Sequence, residues 1–231
     1  MLNIDSLSPQ FVLFIIIFSI IVTSIILLIY FFYSFILNAK ENKRTQALET
    51  IAGSLGLSFC ENIRQKTELT YKDCELFSIG RSRKLKNELW TEDKESHFSL
   101  FEYSYTLGFG RNSLRYFQTV LSIQCNQLKL PQFKLEPEKS IDKIGHVFGF
   151  QDINFDEHPH FSNQYFLQGS DEIEIREFFN PQRIQYFESM KNAYIESQGN
   201  NLILYRLSKR YEPGEIKSFL QEGEKLLSIM V

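Results

Sequence analysis

The sequence predicts an α+β fold, an N-terminal transmembrane helix followed by a largely antiparallel sheet with packed helices. Three observations lead there. Phe11 to Leu37 is an apolar run of 27 residues without a charge. Between Leu57 and Ile123 short segments rich in β-branched and aromatic residues alternate with glycine-containing breaks. After Pro131 the pattern turns mainly to helix starts and helical stripes. Strands and helices are thus partly segregated along the chain, which favours an antiparallel sheet over a doubly wound parallel one.

The apolar run comes first. At about 1.5 Å per residue it reaches roughly 40 Å, more than the ~30 Å hydrocarbon core of a bilayer. Pro9 suits a helix start, and Tyr30 and Tyr33 suit the headgroup level at the far end. The region before the run lacks Lys and Arg, and the run far exceeds the ~7–15 residues of a signal-peptide core, so it reads as an anchor. Asp5 precedes it, while Lys40, Lys43 and Arg44 follow it. The positive-inside rule then places the N-terminus outside and the C-terminal domain in the cytoplasm. Ser19 and Thr23 share a helix face, with Ser24 beside them; they read as hydroxyls bonding their own backbone rather than as a helix-pairing seam.

The domains divide as residues 1–38 (N-terminal segment and transmembrane helix), 39–56 (juxtamembrane helix) and 57–231 (globular domain, with possible sub-lobes 57–135 and 136–231). Ala47, Leu48, Ile51, Ala52 and Leu55 form one apolar stripe on the juxtamembrane helix, and Gly56 stops it. This helix is expected to extend the membrane helix and dock on the domain. Leu76–Ile79 and Lys86–Thr91 read as short strands. Residues 98–106 and 115–123 are the clearest strand pair, joined by a hairpin loop that carries Gly108 and Gly110. Glu136–Gly145 reads as a short helix and residues 150–161 as irregular chain. Tyr165–Gln168 reads as a strand, and Ser170 as the cap of a helix that Asn180-Pro181 ends. That Pro starts the next helix, to about Lys191. Two strands around Gly199-Asn200-Asn201 and a final helix from Pro213 to Met230 complete the chain.

Composition narrows the function. Lys and Arg number 25 and Asp and Glu 28, a formal net charge of -3, which argues against nucleic acid as a partner. The three cysteines, Cys60, Cys74 and Cys125, are odd in number and widely spaced, without a CxxC pair; they fit small buried side chains in a reducing compartment.

The stretches LFSIGRSRKLKN (76–87), LFEYSYTLGFGRNSLRYFQTV (100–120), LPQFKLEPE (130–138) and DINFDEHPHFSNQYFLQGSDEIEIREFF (152–179) resemble a family of uncharacterised bacterial single-pass membrane-anchored proteins, a domain of unknown function. The resemblance covers about residues 46–228. It implies a bacterial, membrane-anchored, one-domain protein and carries no residue roles.

Four groups of residues are candidates for chemistry. Asp152, Asp156, His158 and His160, with Glu157, form the densest set of metal-ligand types, although the His-Pro-His spacing matches no ligand signature. Gly108-Phe109-Gly110-Arg111-Asn112 has the glycines and the cation of an anion-binding loop without matching a phosphate-loop motif. Arg81, Arg83, Lys84 and Lys86 form a basic cluster, read as a loop after a strand, suited to contact with anionic headgroups. Ser140-Ile141-Asp142-Lys143 matches S-x-x-K but lacks companion motifs, and His97 and His146 stand alone.

These observations favour a membrane-tethered interaction or scaffold module without a cofactor and lean away from an enzyme. The bilayer is its first partner, with a membrane or cytoplasmic protein or a second copy as further ones. The alternatives are a membrane-proximal, hydrolase-like enzyme and a lipid- or ligand-sensing domain. The orientation is testable: a C-terminal reporter that is active only outside the cytoplasm should stay silent, and activity there would reverse the topology.

Overall fold

An eight-stranded antiparallel sheet organises the domain. In the computed structural model, which describes residues 8–65, 67, 70, 74–91, 93, 95–140 and 152–231, its strand order is β1-β2-β3-β4-β8-β7-β5-β6. The strands are β1 (Ser58–Asn62), β2 (Arg81–Trp90), β3 (Ser96–Leu107), β4 (Leu114–Cys125), β5 (Leu130–Pro137), β6 (Tyr165–Gly169), β7 (Tyr194–Gly199) and β8 (Asn201–Tyr205). Helices among the described residues include α1 (Pro9–Ser54), α2 (Pro159–Gln164), α3 (Glu172–Phe178), α4 (Pro181–Ser189) and α5 (Ile216–Met230).

The chain divides into two compact units, Met1–Gln46 and Ala47–Val231. The described part of the first is helix alone. Its apolar side chains are exposed, and its length and composition suit a bilayer crossing, so it is compatible with single-pass membrane anchoring. Its hydroxyls turn inward on the backbone, as expected: Ser19 Oγ donates to Ile16 O (3.0 Å), Thr23 Oγ1 to Ser19 O (2.9 Å) and Ser24 Oγ to Ile20 O (2.8 Å).

In the second unit the last turns of α1 bury Leu48 and Ala52, with Ile51 and Leu55 packed beside them. The helix stops where the sequence marks it. Gly56 has φ 69°, Leu57 N–H reaches back to Ala52 O (2.9 Å) and Gly56 N–H to Gly53 O (3.3 Å). This is the six-to-one and five-to-two pairing of a glycine-terminated helix.

Alternation along the strands sorts the core onto two faces of the sheet. Leu100, Leu121, Ile123, Leu135, Leu167, Ile195, Leu202 and Leu204 point to the face covered by helices, where Phe161, Phe179, Phe187, Ile216, Phe219 and Leu226 complete the packing. Phe101, Tyr103, Tyr105, Val120, Tyr194, Ile203 and Tyr205 point the other way. There they meet Leu76, Phe77 and Ile63 from the β1–β2 connection. The helices begin on side-chain caps: Asp171 accepts the N–H groups of Ile173 and Glu174, and Asn180 accepts that of Arg183.

Several expectations are corrected. Leu76–Ile79 is not a strand; Glu75–Phe77 forms a 3-10 turn because a buried glutamate takes its first N–H groups. The basic cluster 81–86 lies on β2 itself rather than in a loop, and two bulges at positive-φ residues, Ser82 and Asn87, re-register that strand against β3. Leu130–Pro137 is a strand that the sequence reading did not assign. Pro131 falls at a register shift and Pro137 at the strand end, where no ladder N–H is needed. The expected helix 136–145 gives way to this strand and a 3-10 turn, Glu138–Ser140; the rest of it lies outside the described residues. Residues 159–164 are helical rather than irregular, and Asp171, not Ser170, caps α3.

Gly169 shows how tightly helix and sheet meet. A Cβ there would collide with Gln132 O and Ile175 Cδ1, whereas one at Gly53 would meet open space. Gly169→Ala should therefore cost about 1–3 kcal/mol by overpacking. Gly53→Ala should be neutral or gain up to about 1 kcal/mol. Thermal unfolding of the two variants in detergent checks the contrast.

Candidate functional site

Strand ends create a concavity on one side of the sheet's centre. Pro137 closes β5, Tyr194 opens β7, and the chain leaving β8 turns at Arg206-Leu207-Ser208-Lys209. Pro137, Tyr194, Arg206, Leu207 and Lys209, together with Lys139, Asn192 and Tyr211, line a cleft of about 510 Å³. The turn after β8 is held rigidly. Ser208 adopts φ 59°, Lys209 N–H returns to Arg206 O (3.1 Å), Thr119 N–H donates to Lys209 O (3.0 Å), and Tyr211 N–H donates to Thr119 Oγ1 (3.0 Å).

The cleft combines cations with aromatic walls. Tyr194 stacks on Tyr205 at 5.0 Å and Tyr211 on Phe219 at 4.2 Å, so both rings are fixed. Arg206 donates to Lys191 O (2.9 Å), to the Tyr211 hydroxyl (2.6 Å) and to Glu222 on α5 (2.9 Å). Burial works against its charge, but the bonds to Glu222 and Tyr211 outweigh it and raise its pKa. Lys209 sits over the Tyr211 ring at 4.9 Å and bonds Glu215 (2.9 Å), while Lys139 is exposed at the rim. The arrangement offers positive charge beside apolar surface, a combination that suits an anion with an apolar body.

Two buried carboxylates lie outside the cleft. Glu88 on β2 accepts the Arg64 backbone N–H (2.8 Å) and guanidinium (2.7 Å) and the hydroxyls of Thr67 and Ser99 (2.6 Å each). Burial pushes its pKa up, yet these donors win and hold it below the usual value. Glu196 on β7 accepts the N–H groups of Glu75 and Leu76 and, at 3.3 Å, the Tyr205 hydroxyl. Here burial dominates over the Lys134 charge and the backbone donors, and the carboxyl is raised to about 7. Both carboxylates grip the chain between β1 and β2, so their role is to hold that connection on the sheet.

The residues singled out in the sequence fall in several places. Asp152 accepts the Leu167 N–H (3.0 Å) and the Asn154 side-chain amide (2.9 Å), closing the edge of β6. Asp156 is exposed, His158 immediately precedes α2, and His160 is exposed on it. Among the described residues no three His, Cys, Asp or Glu side chains are placed to hold a metal. In the Gly108–Asn112 loop the Asn112 N–H closes on Phe109 O (3.2 Å), the Ser113 N–H on Gly110 O (3.3 Å), and Arg81 donates to Gly108 O (2.9 Å). His97 lies beside Arg64 (3.1 Å), while Lys143 and His146 are outside the described residues. All three cysteines are free. Sequence reading missed Arg206, Tyr211 and both buried glutamates. For Glu196 one signal existed, an acid at the same strand parity as Tyr194.

The sign of the Glu196 effect is fixed by its raised value. A carboxyl whose pKa rises on folding stabilises fully below its unfolded value near 4.5 and loses that contribution as pH climbs through about 7. The wild type should therefore lose up to about 3 kcal/mol relative to Glu196→Gln between pH 4.5 and 8. Urea unfolding of both proteins in detergent at those pH values measures the difference; parallel pH profiles would reject it.

No family model matches the chain, and no curated protein is similar to it. Among solved structures, it is similar to the crystal structure of the mycobacterial trehalose monomycolate transport factor A, TtfA, with a TM-score of 0.57 at 7% sequence identity, over 80% of this chain and 93% of that one. At that identity the likeness is one of fold.

Proposed function

We propose that this chain is a membrane-tethered interaction module that holds an anionic amphiphile in the cleft at the ends of β5, β7 and β8. The observation that carries this reading is the cleft itself, where Lys139, Arg206 and Lys209 surround fixed aromatic and apolar walls. Its volume of about 510 Å³ lies within the roughly 300–1,000 Å³ range of small-molecule sites. The apolar N-terminal helix supports a setting at the bilayer, and Lys40, Lys43 and Arg44 after it favour a cytoplasmic domain. The fold shared with a trehalose monomycolate transport factor agrees with a lipid-related role. Arg206 is committed to Glu222 in a half-buried pair, so it shapes the wall; Lys139 is exposed at the rim, and Lys209, whose pair with Glu215 is more open to solvent, is the second cation a ligand can meet.

Native mass spectrometry of the full-length chain in mild detergent tests the reading, with phosphatidylglycerol or phosphatidylcholine added. The wild type should retain phosphatidylglycerol in preference to phosphatidylcholine. Lys139→Gln with Lys209→Gln should weaken retention about 30-fold, because each of the two cations near an anionic headgroup contributes about 1 kcal/mol. Retention unchanged in the double variant would refute the cleft as the site.

A further inference from the structure

The tip of the β3–β4 hairpin exposes Phe109 and Leu114, with Phe117 exposed further along β4. Outside α1, the exposed large hydrophobic residues among those described are Phe109, Leu114, Phe117, Ile173 and Val231. Three of the five belong to this hairpin, with Phe109 at 83% and Leu114 at 64% exposure. A soluble surface scatters such residues singly; gathering them at a loop tip marks a contact surface.

The surrounding charge has one sign. The stretches 76–87 and 103–118 contain Arg81, Arg83, Lys84, Lys86, Arg111 and Arg115 and no Asp or Glu. The sheet register brings the two together, with Arg81 opposite Thr106, Lys84 opposite Ser104 and Arg115 opposite Thr106 from the other side. Among the described residues no ion pair involves Arg83, Lys84, Lys86 or Arg111. Glu102, opposite Lys86 on β3, is bonded to Arg210 (2.7 Å) and to Asn87 (2.7 Å).

The tip is also shaped. Gly108 (φ 76°) and Gly110 (φ 57°) flank Phe109, and a Cβ on Gly108 would come within 2.5 Å of Asn112 O, so the turn closes on itself. Arg81 holds the Gly108 carbonyl (2.9 Å) while its guanidinium lies 5.1 Å from the Phe109 ring. Arg115 donates to Ser104 Oγ (3.1 Å) and lies 5.1 Å from the Phe117 ring. Rings and guanidinium groups are therefore presented side by side. A bilayer interface receives that pairing: the rings enter the acyl boundary and the cations stay with the phosphates.

We infer that this hairpin, with the first half of β2, docks on an anionic phospholipid surface, Phe109 and Leu114 inserting and Arg81, Arg83, Lys84, Arg111 and Arg115 binding headgroups. Charge complementarity names the occupant, and the chain's own apolar helix supplies the bilayer. Double-stranded nucleic acid would match the cations but not the protruding rings, and the chain's net charge of -3 argues against it.

The test uses the full-length chain in nanodiscs whose lipids carry bromine on the acyl chains. Phe109→Trp adds a fluorophore at the tip, the wild type with its single tryptophan, Trp90, gives the background, and Ile173→Trp reports another exposed position. In discs containing phosphatidylglycerol the added emission of Phe109→Trp should be quenched severalfold more than that of Ile173→Trp. The quenching should fall in phosphatidylcholine alone, at high salt, and when Arg81, Arg83, Lys84 and Arg111 are changed to Gln. Equal, weak quenching at both positions would overturn insertion and leave a protein partner as the occupant. Equal quenching in the two lipids would overturn the headgroup role of the cations. Neither readout requires a ligand in the cleft, so the two readings fail separately.

Discussion

The domain depends on two buried carboxylates that pin the connection between β1 and β2 onto the sheet. An eight-stranded sheet has two apolar faces, and helices cover one of them. The other is closed by the β1–β2 connection, whose described residues form no strand. Its N–H groups must end somewhere, because an unpaired buried amide costs as much as a lost hydrogen bond. At one end they reach Glu88, at the other Glu196. The two anchors are electrostatically unlike. Glu88 has a guanidinium and two hydroxyls against it and stays ionised; Glu196 has backbone donors and a lysine among tyrosines, and burial prevails. The aromatic layer between them, Tyr103, Tyr105 and Phe77, is packed ring on ring, with Phe77 edge-on to Tyr103 at 4.9 Å.

Local signals in the sequence corresponded to local structure. The charge-free run, the Gly56 stop, the hydroxyls bonded to their own helix, the 98–106/115–123 hairpin and the Asn180-Pro181 helix start each depend on neighbours a few positions away. The misreadings have distant causes. Leu76 looks like a strand residue until Glu196, 120 positions later, takes its N–H. Leu130–Pro137 goes unassigned until β7 and β6 flank it. The cleft was illegible for the same reason: Arg206 and Tyr211 acquire meaning only when Glu222 and Phe219 arrive from α5. The basic cluster was visible as charge, but its place on a strand beside exposed phenylalanines was not.

Arginine is used in two opposed ways. Arg206 and Arg64 are immobilised against carboxylates and serve the packing. Arg81 and Arg115 are bonded to uncharged groups and laid against exposed rings, so their charge is not cancelled by an acid. Planar guanidinium suits both, since it can fork onto a carboxylate or lie on an aromatic face.

The strand order has a consequence for synthesis. β4 finishes one long hairpin, yet its second neighbour is β8, and Val120 must wait for Tyr205, 85 positions later. At roughly 5–20 residues per second that is about 4–17 s on the ribosome. Throughout that interval a twelve-residue strand offers an unsatisfied hydrogen-bonding edge. A nascent chain in that state is open to pairing with the wrong strand, so crowding of many such chains on one membrane patch would be the condition under which this fold assembles least faithfully.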